Sequence, residues 1–197
     1  ISYSGDLAEP CLVRNAIDMI SSKWGSVNIL VNSNGGPMPG KVSDLSDQDW
    51  SNSFNSYALP VFRAIREVLP EMKKQKWGRI MTIGSIAALE PIQNLDISNF
   101  IRSGFLGIHK SLSREVACDN INVHLILPGA IYTSRTKENI EKRAKRLNIS
   151  EEKSMSMSIA KIPKNTIGDP ADVGNLVSFL CSEKANYLTG SYHTVDG

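Results

Sequence analysis

The polar and apolar positions of the chain follow two periods that alternate from one end to the other. Short apolar or alternating runs predict strands at ISYSGD, VNILVN, GRIMTIGS, INVHLILPG and GSYHTVDG. Between them apolar residues recur every three or four positions, as at Leu12, Ala16, Ile17 and Ile20, which predicts amphipathic helices. Strands that alternate with helices, several of them apolar throughout, predict an α/β fold with a parallel sheet covered on both faces.

Local signals indicate where the helices begin and end. Pro10 and Gly25 bracket the first helix. Ser46 is suited to cap a long helix that ends near Gln75 and is kinked at Pro60. The charged stretch KENIEKRAKRLNISEEK predicts a solvated amphipathic helix.

In such a sheet ligands bind outside the carboxyl ends of the strands, where the loops emerge. The informative loops therefore follow Asn32, Ser85 and Leu127. VNSNGG places glycines where a backbone can approach a ligand, although a tight turn explains them equally well. LPGAIYT supplies a second strand-end turn with the hydroxyl of Thr133, and a plain turn is again the alternative.

Composition limits the functional classes. The chain has 197 residues and a formal net charge of +2 with interspersed acids and bases, which is typical of one domain and does not predict nucleic-acid binding. No apolar run approaches the roughly 20 residues of a membrane span, so we expect a soluble cytoplasmic protein. The cysteines and histidines lack metal-ligand spacing, and we expect reduced packing cysteines, structural histidines and no metal site. They are Cys11, Cys118, Cys181, His109, His124 and His193.

Seven segments in order carry a family resemblance: GDL, VNSNGG, LSDQDW, GRIMTIGS, SGFLGIHKSLSREVA, INVHLILPGAIYT and DPADVGNLVSFLCSEKANYLTGSYHTVDG. Together they resemble the short-chain dehydrogenase/reductase family, especially its acyl-carrier-protein ketoreductase and sugar dehydrogenase members. The resemblance implies a doubly wound Rossmann-like domain over 1–197 that binds NAD or NADP. It also implies hydride transfer to or from the carbonyl or alcohol of a small-molecule substrate.

The resemblance also implies roles for particular residues. Asp6 resembles the acid that meets the adenine, and Asn32 with Gly35 resembles the start of the loop beside the cofactor ribose, with Asn34 where a small alanine is usual. Ser85 matches the serine that hydrogen-bonds the substrate oxygen. The turn that holds the nicotinamide amide is implied at Pro128, Gly129, Ile131 and Thr133.

The first departure from the family is the absence of its glycine-rich phosphate loop. Counting back from ISYSGD as the third strand, two strand-helix units, roughly 50 residues, are missing, since one such unit takes about 30. Either the chain is a fragment, or its first part is too mobile to be described. We favour mobility, because a deletion would strip neighbours from a buried strand that begins at Ile1. The choice between NAD and NADP stays open.

The second departure lies at the Tyr-x-x-x-Lys motif, which falls on SNFIR. The run from Gly107 sets the register, which places Ser98 at the tyrosine and Arg102 at the lysine, with Ser85 thirteen residues upstream. Tyr57 stands at the asparagine of the family's long helix. Only Ser85 of the usual four catalytic residues remains.

This change weakens the proton supply for a nascent alkoxide. A tyrosine of pKa near ~10, lowered by a cation, can deliver a proton near neutral pH, whereas serine is a far weaker acid. Arg102 can donate to a ribose hydroxyl but cannot exchange a proton, and a solvated helix cation is the alternative. Ser98 is a helix cap, a substrate or cofactor contact, or a proton donor. Tyr57 is a displaced acid or a packed aromatic.

Two functions follow from these residues. The first is an NAD(P)-dependent oxidoreductase in which Ser85, Ser98 and Arg102 form the site, with water or Tyr57 as proton source. The second is a catalytically silent subunit that binds a nucleotide or acyl ligand.

Two further expectations concern a lid and assembly. The segment 134–167, with Met155 and Met157, is expected to be a mobile substrate lid. The helix from Ser98 to Cys118 has enough apolar surface for both core and partner, and the family implies a homodimer or homotetramer. Its apolar positions are Phe105, Ile108, Leu112 and Val116, and a further interface is implied near Val195.

Overall fold

The computed structural model describes residues 1–197 and contains one parallel sheet of four strands in the order β1-β2-β3-β4. The strands are β1 (Ile29–Asn32), β2 (Gly78–Ile83), β3 (Ile121–Pro128) and β4 (Ser191–Val195). β2 and β3 form the centre and are buried along nearly their whole length. The predicted α/β fold with a parallel sheet is confirmed.

The structure contains seven α-helices. They are α1 (Leu12–Trp24), α2 (Asp47–Ser53), α3 (Leu59–Gln75), α4 (Asp96–Val116), α5 (Ser134–Leu147), α6 (Glu151–Ile159) and α7 (Pro170–Cys181). α3 and α4 pack on one face in a core that includes Met72, Ile80 and Phe105, while α7 packs on the other face through Leu180 against Met81. Burial of both faces is the doubly wound arrangement expected of a parallel sheet. No helix is both long and apolar enough to span a bilayer.

The predicted strand ISYSGD is wrong. Residues 1–6 are exposed and lie in no strand. Asp6 instead starts the turn into α1, where its carbonyl accepts from the amide of Glu9 and its carboxylate from the amide of Ala8. A strand exists only through hydrogen bonds to a neighbour, and residues 1–6 pair with none. The argument from a buried strand at Ile1 therefore fails with it.

The predicted helix from Ser46 to Gln75 is interrupted rather than merely kinked. Ser46 caps α2 as expected, in a reciprocal pair with Asp49. A π-helical turn (Phe54–Ala58) separates α2 from α3, and Pro60 lies in the first turn of α3, where its missing N–H costs little. The expected single helix around KENIEKRAKRLNISEEK is also wrong. α5 ends at Leu147, the next residue Asn148 has φ of 50°, and Ser150 caps α6.

The cysteines correct a further expectation. Cys11 and Cys118 are exposed and Cys181 is half-buried, so two of the three do not pack in the core. Cys11 and Cys118 lie at helix ends, where the position of a residue rather than its type decides its exposure. Among the apolar positions of α4, Phe105 and Val116 are buried in the core, whereas Ile108 remains 48% exposed.

Candidate functional site

A cleft of about 450 Å³ lies at the carboxyl ends of β1, β2 and β3. Its walls are the loops after these strands together with the first turns of α4 and α5. Five separate stretches of sequence therefore meet there. This is the edge at which an open parallel sheet binds its ligands.

Ser85 stands on the β2 side of the cleft. It is half-buried, has extended backbone, and caps the 3₁₀ turn Ile86–Ala88 by accepting from the amide of Ala87 at 3.2 Å. Gly84 before it lies so close to β3 that a Cβ would be 3.2 Å from the carbonyl oxygen of Ile126. The hydroxyl of Ser85 is thus fixed at the cleft wall and keeps its proton free to donate.

Ser98 and Arg102 face the same cleft one turn apart on α4. Arg102 Nε donates to Ser98 Oγ over 3.0 Å. Ser98 is 7% exposed and lies inside the helix, whose N-cap is Leu95, so the helix-cap interpretation of Ser98 is wrong. Nη1 of Arg102 is buried without any hydrogen-bond partner. Buried polar groups are normally paired, so Nη1 of Arg102 keeps a donor that the protein itself does not use.

Tyr57 packs behind the arginine rather than lining the cleft. Its ring lies 5.1 Å from the guanidinium of Arg102 and 5.9 Å from the ring of Phe105. The side chain is 3% exposed and its hydroxyl has no partner. Burial raises the pKa of Tyr57, and the nearby Arg102 and Arg135 oppose this only in part. A raised pKa makes Tyr57 a weaker proton donor near neutral pH.

Two side-chain amides hold the end of β1 and the loop after it. Asn34 Nδ2 donates to the carbonyl of Tyr57 at 2.9 Å, in the π-helical turn. Asn32 Nδ2 lies 3.4 Å from Thr82 Oγ1, which in turn is 2.7 Å from Nε2 of His109. Burial lowers the pKa of His109, so the imidazole stays neutral and links β1 and β2 to α4. His109 thus has the structural role expected of it.

The turn after β3 is fixed by packing as much as by its own sequence. A Cβ on Gly129 would lie 2.8 Å from Cβ of Asp196, so only glycine fits against the segment after β4. Ile131 bridges to Gly168, and Thr133 caps α5 by accepting from the amide of Thr136. The hydroxyl of Thr133 is therefore partly committed to the helix.

Seven of the residues that the sequence nominates line the cleft together: Ser85, Ser98, Arg102, Pro128, Gly129, Ile131 and Thr133. Four do not. Tyr57 is buried behind it, Gly35 lies within its loop, Asp6 is in the exposed N-terminal segment, and Asn32 lines a separate cavity of about 280 Å³ beside α1.

Sequence reasoning missed one charged residue of the cleft, Arg135. Arg135 lies two positions after Thr133, at the start of α5. Because it follows the strand-end turn so closely, its position in the sequence could have indicated that it lines the cleft. Arg102 and Arg135 are the only ionisable side chains in the lining. No carboxylate, imidazole, phenol or amine is therefore placed there to exchange a proton near neutral pH.

Comparisons with known proteins agree with this geometry. The family model described as enoyl-(acyl carrier protein) reductase matches residues 1–197. The chain is 33% identical over 192 residues to 3-oxoacyl-[acyl-carrier-protein] reductase of Buchnera aphidicola subsp. Schizaphis graminum, covering 98% of this chain and 74% of the relative. It is also 33% identical over 187 residues to dehydrogenase/reductase SDR family member 4 of Oryctolagus cuniculus, covering 94% and 67%.

Among solved structures, L-sorbose reductase of Gluconobacter frateurii, complexed with NADPH and L-sorbose, superposes with a TM-score of 0.93. The identity is 28%, over 99% of this chain and 74% of that one. Fold, strand-end cleft and sequence lead to the same assignment. The chain belongs to the short-chain dehydrogenase/reductase family.

Proposed function

We propose that the protein is an NAD(P)-dependent oxidoreductase acting on a carbonyl or alcohol, with Ser98 and Arg102 in place of the usual tyrosine and lysine. One observation carries the proposal. The cleft brings Ser85, Ser98 and Arg102 together with the turn from Pro128 to Thr133, although these lie on different elements. A helix cap and a solvated cation would not converge in this way.

The cleft residues fit a nicotinamide nucleotide. The unpartnered Nη1 of Arg102 is a donor of the kind that a ribose hydroxyl accepts from, and Gly36 lets the backbone of the loop after β1 lie close to this guanidinium. When bound, the dinucleotide would supply or accept the hydride. Either NAD or NADP is compatible with these residues.

Ser85 and Ser98 are assigned to the substrate oxygen. Ser98 Oγ already accepts from Arg102 Nε, so its own proton is free to point at that oxygen. Arg102 lies behind and stabilises the negative charge that develops during reduction. Because the lining holds no proton donor of suitable pKa, water delivers the final proton along the Ser98 hydroxyl. Tyr57 remains the second candidate source of this proton, although its burial disfavours that role.

A turnover assay tests the proposal. Full-length protein is incubated with NADPH or NADH and a panel of ketones, and with NADP⁺ or NAD⁺ and the matching alcohols. We expect substrate-dependent change in cofactor absorbance that Ser85→Ala lowers. Binding of dinucleotide without turnover in either direction on any substrate would contradict the proposal.

A silent binding subunit is the second candidate. The observation that favours it is the same lining, which offers two guanidiniums and hydroxyls but no group that titrates near neutral pH. Such a site can bind an anionic or polar ligand without transferring a proton. The turnover assay separates the two candidates directly.

Assembly and location stay predictions. Ile108, exposed on α4, is the part of the predicted interface that the core does not use. We propose a homodimer or homotetramer through this helix in the cytoplasm, and a monomeric mass of the full-length protein at micromolar concentration would contradict the assembly.

A further inference from the structure

Two guanidiniums reach the same point of the cleft from different helices. A Cβ placed on Gly36 would lie 3.3 Å from both Nη atoms of Arg135 and 3.6 Å from Nη2 of Arg102. Arg102 extends from α4 and Arg135 from α5. The two like charges are therefore neighbours, and both guanidiniums lie beside Gly36.

Neither charge is neutralised by the protein. Arg102 makes one hydrogen bond, to Ser98, and Arg135 makes neither a hydrogen bond nor an ion pair. No aspartate or glutamate lines the cleft. Burial lowers the pKa of Arg102, and the charge of Arg135 adds to this effect while Tyr57 opposes it. Arg102 is half-buried whereas Arg135 is exposed, so the cost of an unpaired charge falls on Arg102, and a bound anion would lower that cost.

The arrangement suits a planar oxyanion. A guanidinium offers parallel N–H donors that match both oxygens of a carboxylate, and two of them can bind one group from two sides. Arg135 is also in the first turn of a 14-residue helix, whose dipole favours negative charge at that end. The phosphates of a dinucleotide share this chemistry, so position must decide between the sources.

Position favours the substrate. Arg102 is hydrogen-bonded to Ser98, which lines the cleft together with Ser85. The anion site thus adjoins the two hydroxyls assigned above to the reacting oxygen. Resting on that proposed function, we infer that the substrate is an oxo acid or hydroxy acid whose carboxylate is bound between Arg102 and Arg135. The carboxylate orients the carbonyl toward the serines.

Binding of acetoacetate and of its neutral methyl ester tests the inference. Calorimetric titration is performed on full-length protein with and without NADP⁺. We expect the parent to bind acetoacetate at least tenfold more tightly than the ester, and Arg135→Gln to lose that preference. Arg102→Gln should lose it as well. Arg146→Gln removes an exposed arginine from the last turn of α5 and should bind as the parent does.

Arg135→Lys keeps the charge without the planar donor pair and should retain part of the preference, which separates recognition from general electrostatics. Equal affinity of the parent for acid and ester would overturn the inference, as would an Arg135→Gln variant with unchanged acetoacetate affinity. Loss of NADP⁺ affinity alone in Arg135→Gln would assign the pair to the phosphates and also overturn it. Turnover of neutral ketones without acid preference defeats the inference only, whereas acid binding without any turnover defeats the proposed function only.

Discussion

An arginine lies at each end of the central strands, and the difference between the two marks the functional end. At the amino end of β2, Arg79 is fully buried, and its guanidinium donates to the carbonyls of Gly78 and Asn120 and to Asn186. It also lies 4.3 Å from the ring of Trp77. At the carboxyl end, Arg102 has one partner, a serine hydroxyl. Arg79 lacks a partner only at Nε and joins the sheet to its surroundings, whereas neither terminal nitrogen of Arg102 has a partner.

The largest expected effect is at the carboxyl end. Ser98→Tyr combined with Arg102→Lys restores a phenol beside a cation next to Ser85, and proton-transfer groups contribute about 10² to 10⁴ in rate. We expect reduction of a neutral ketone by NADPH to rise by a factor in that range. The ketone must be neutral because the change also removes a carboxylate-binding arginine. An unchanged rate in a folded double variant that still binds NADPH would show that more than the proton relay is lacking.

The amino-end arginine is expected to matter for stability. Arg79→Ala removes the guanidinium donors to the carbonyls of Gly78 and Asn120 and to the side chain of Asn186, and it opens a cavity. We expect the free energy of unfolding in urea to fall by about 3 kcal/mol. The matched variant Arg102→Ala should change it by less than about 1 kcal/mol, because an unpaired charge is removed. Similar losses in both variants would contradict the comparison.

For Arg102→Ala we expect weaker cofactor binding rather than a loss of stability. A hydrogen bond to a charged group is worth about 1.5 to 3 kcal/mol, so NADPH affinity should fall roughly 10- to 100-fold. Fluorescence titration of NADPH measures this. Unchanged affinity for both NADPH and NADH would mean that Arg102 does not contact the cofactor.

The sequence predicts most of the fold because hydrophobic periodicity and the residues that begin or end helices and strands are local signals. The strands β1 to β4 and the helices α1, α4 and α7 follow from apolar pattern, glycine and proline. ISYSGD fails because pairing is not a local property, and the break at Asn148 was missed because asparagine in the left-handed region looks like any polar helix residue. The π-helical turn at Tyr57 has no sequence signal of its own.

The candidate site is predictable only in part. Family register brings Ser85, Ser98 and Arg102 to one cleft, but not the hydrogen bond between the last two, which depends on side-chain geometry. The position of Arg135 after the strand-end turn was a local signal, but its approach to Gly36 was not predictable, because Gly36 is 99 positions away in sequence. The charge of Arg135 indicates a binding site for an anion only once the structure shows that no carboxylate lies beside it.

The pH dependence of stability is expected to differ from the pH dependence of ligand binding in the cleft. Burial, and next the neighbouring His193, lower the pKa of His124 on β3 to about 4. The unfolded chain binds this proton near pH 6.5 and the folded chain does not, so stability is present above about pH 6.5 and is lost as pH falls toward 4. Urea unfolding should show this loss, and His124→Asn should reduce it.

Ligand binding should not follow the same curve. The cleft contains only arginines as ionisable groups, and a carboxylate ligand stays ionised above about pH 5. Acetoacetate affinity is therefore expected to be flat between pH 5 and 8. A step near pH 6.5 would indicate a histidine in the binding event.

The smallest expected effect concerns α5 and α6. Arg143 on α5 donates to Ser154 and Ser158 on α6, so the two helices form one unit that is tied internally. We propose that this unit closes over the cleft as a lid. Hydrogen exchange of the amides in 134–167 should slow when NADPH and a substrate analogue are bound. Unchanged exchange there, with protection in α4, would count against a lid.

Hydride transfer itself is measured most directly with an isotopically labelled cofactor. NADPH carrying deuterium at the transferable position is incubated with full-length protein and an oxo acid, and the product is analysed by mass spectrometry and NMR. The account predicts one deuterium on the carbinol carbon of a hydroxy acid, with a lower yield from Arg135→Gln. Dinucleotide that binds but transfers no deuterium to any oxo acid or neutral ketone would contradict it.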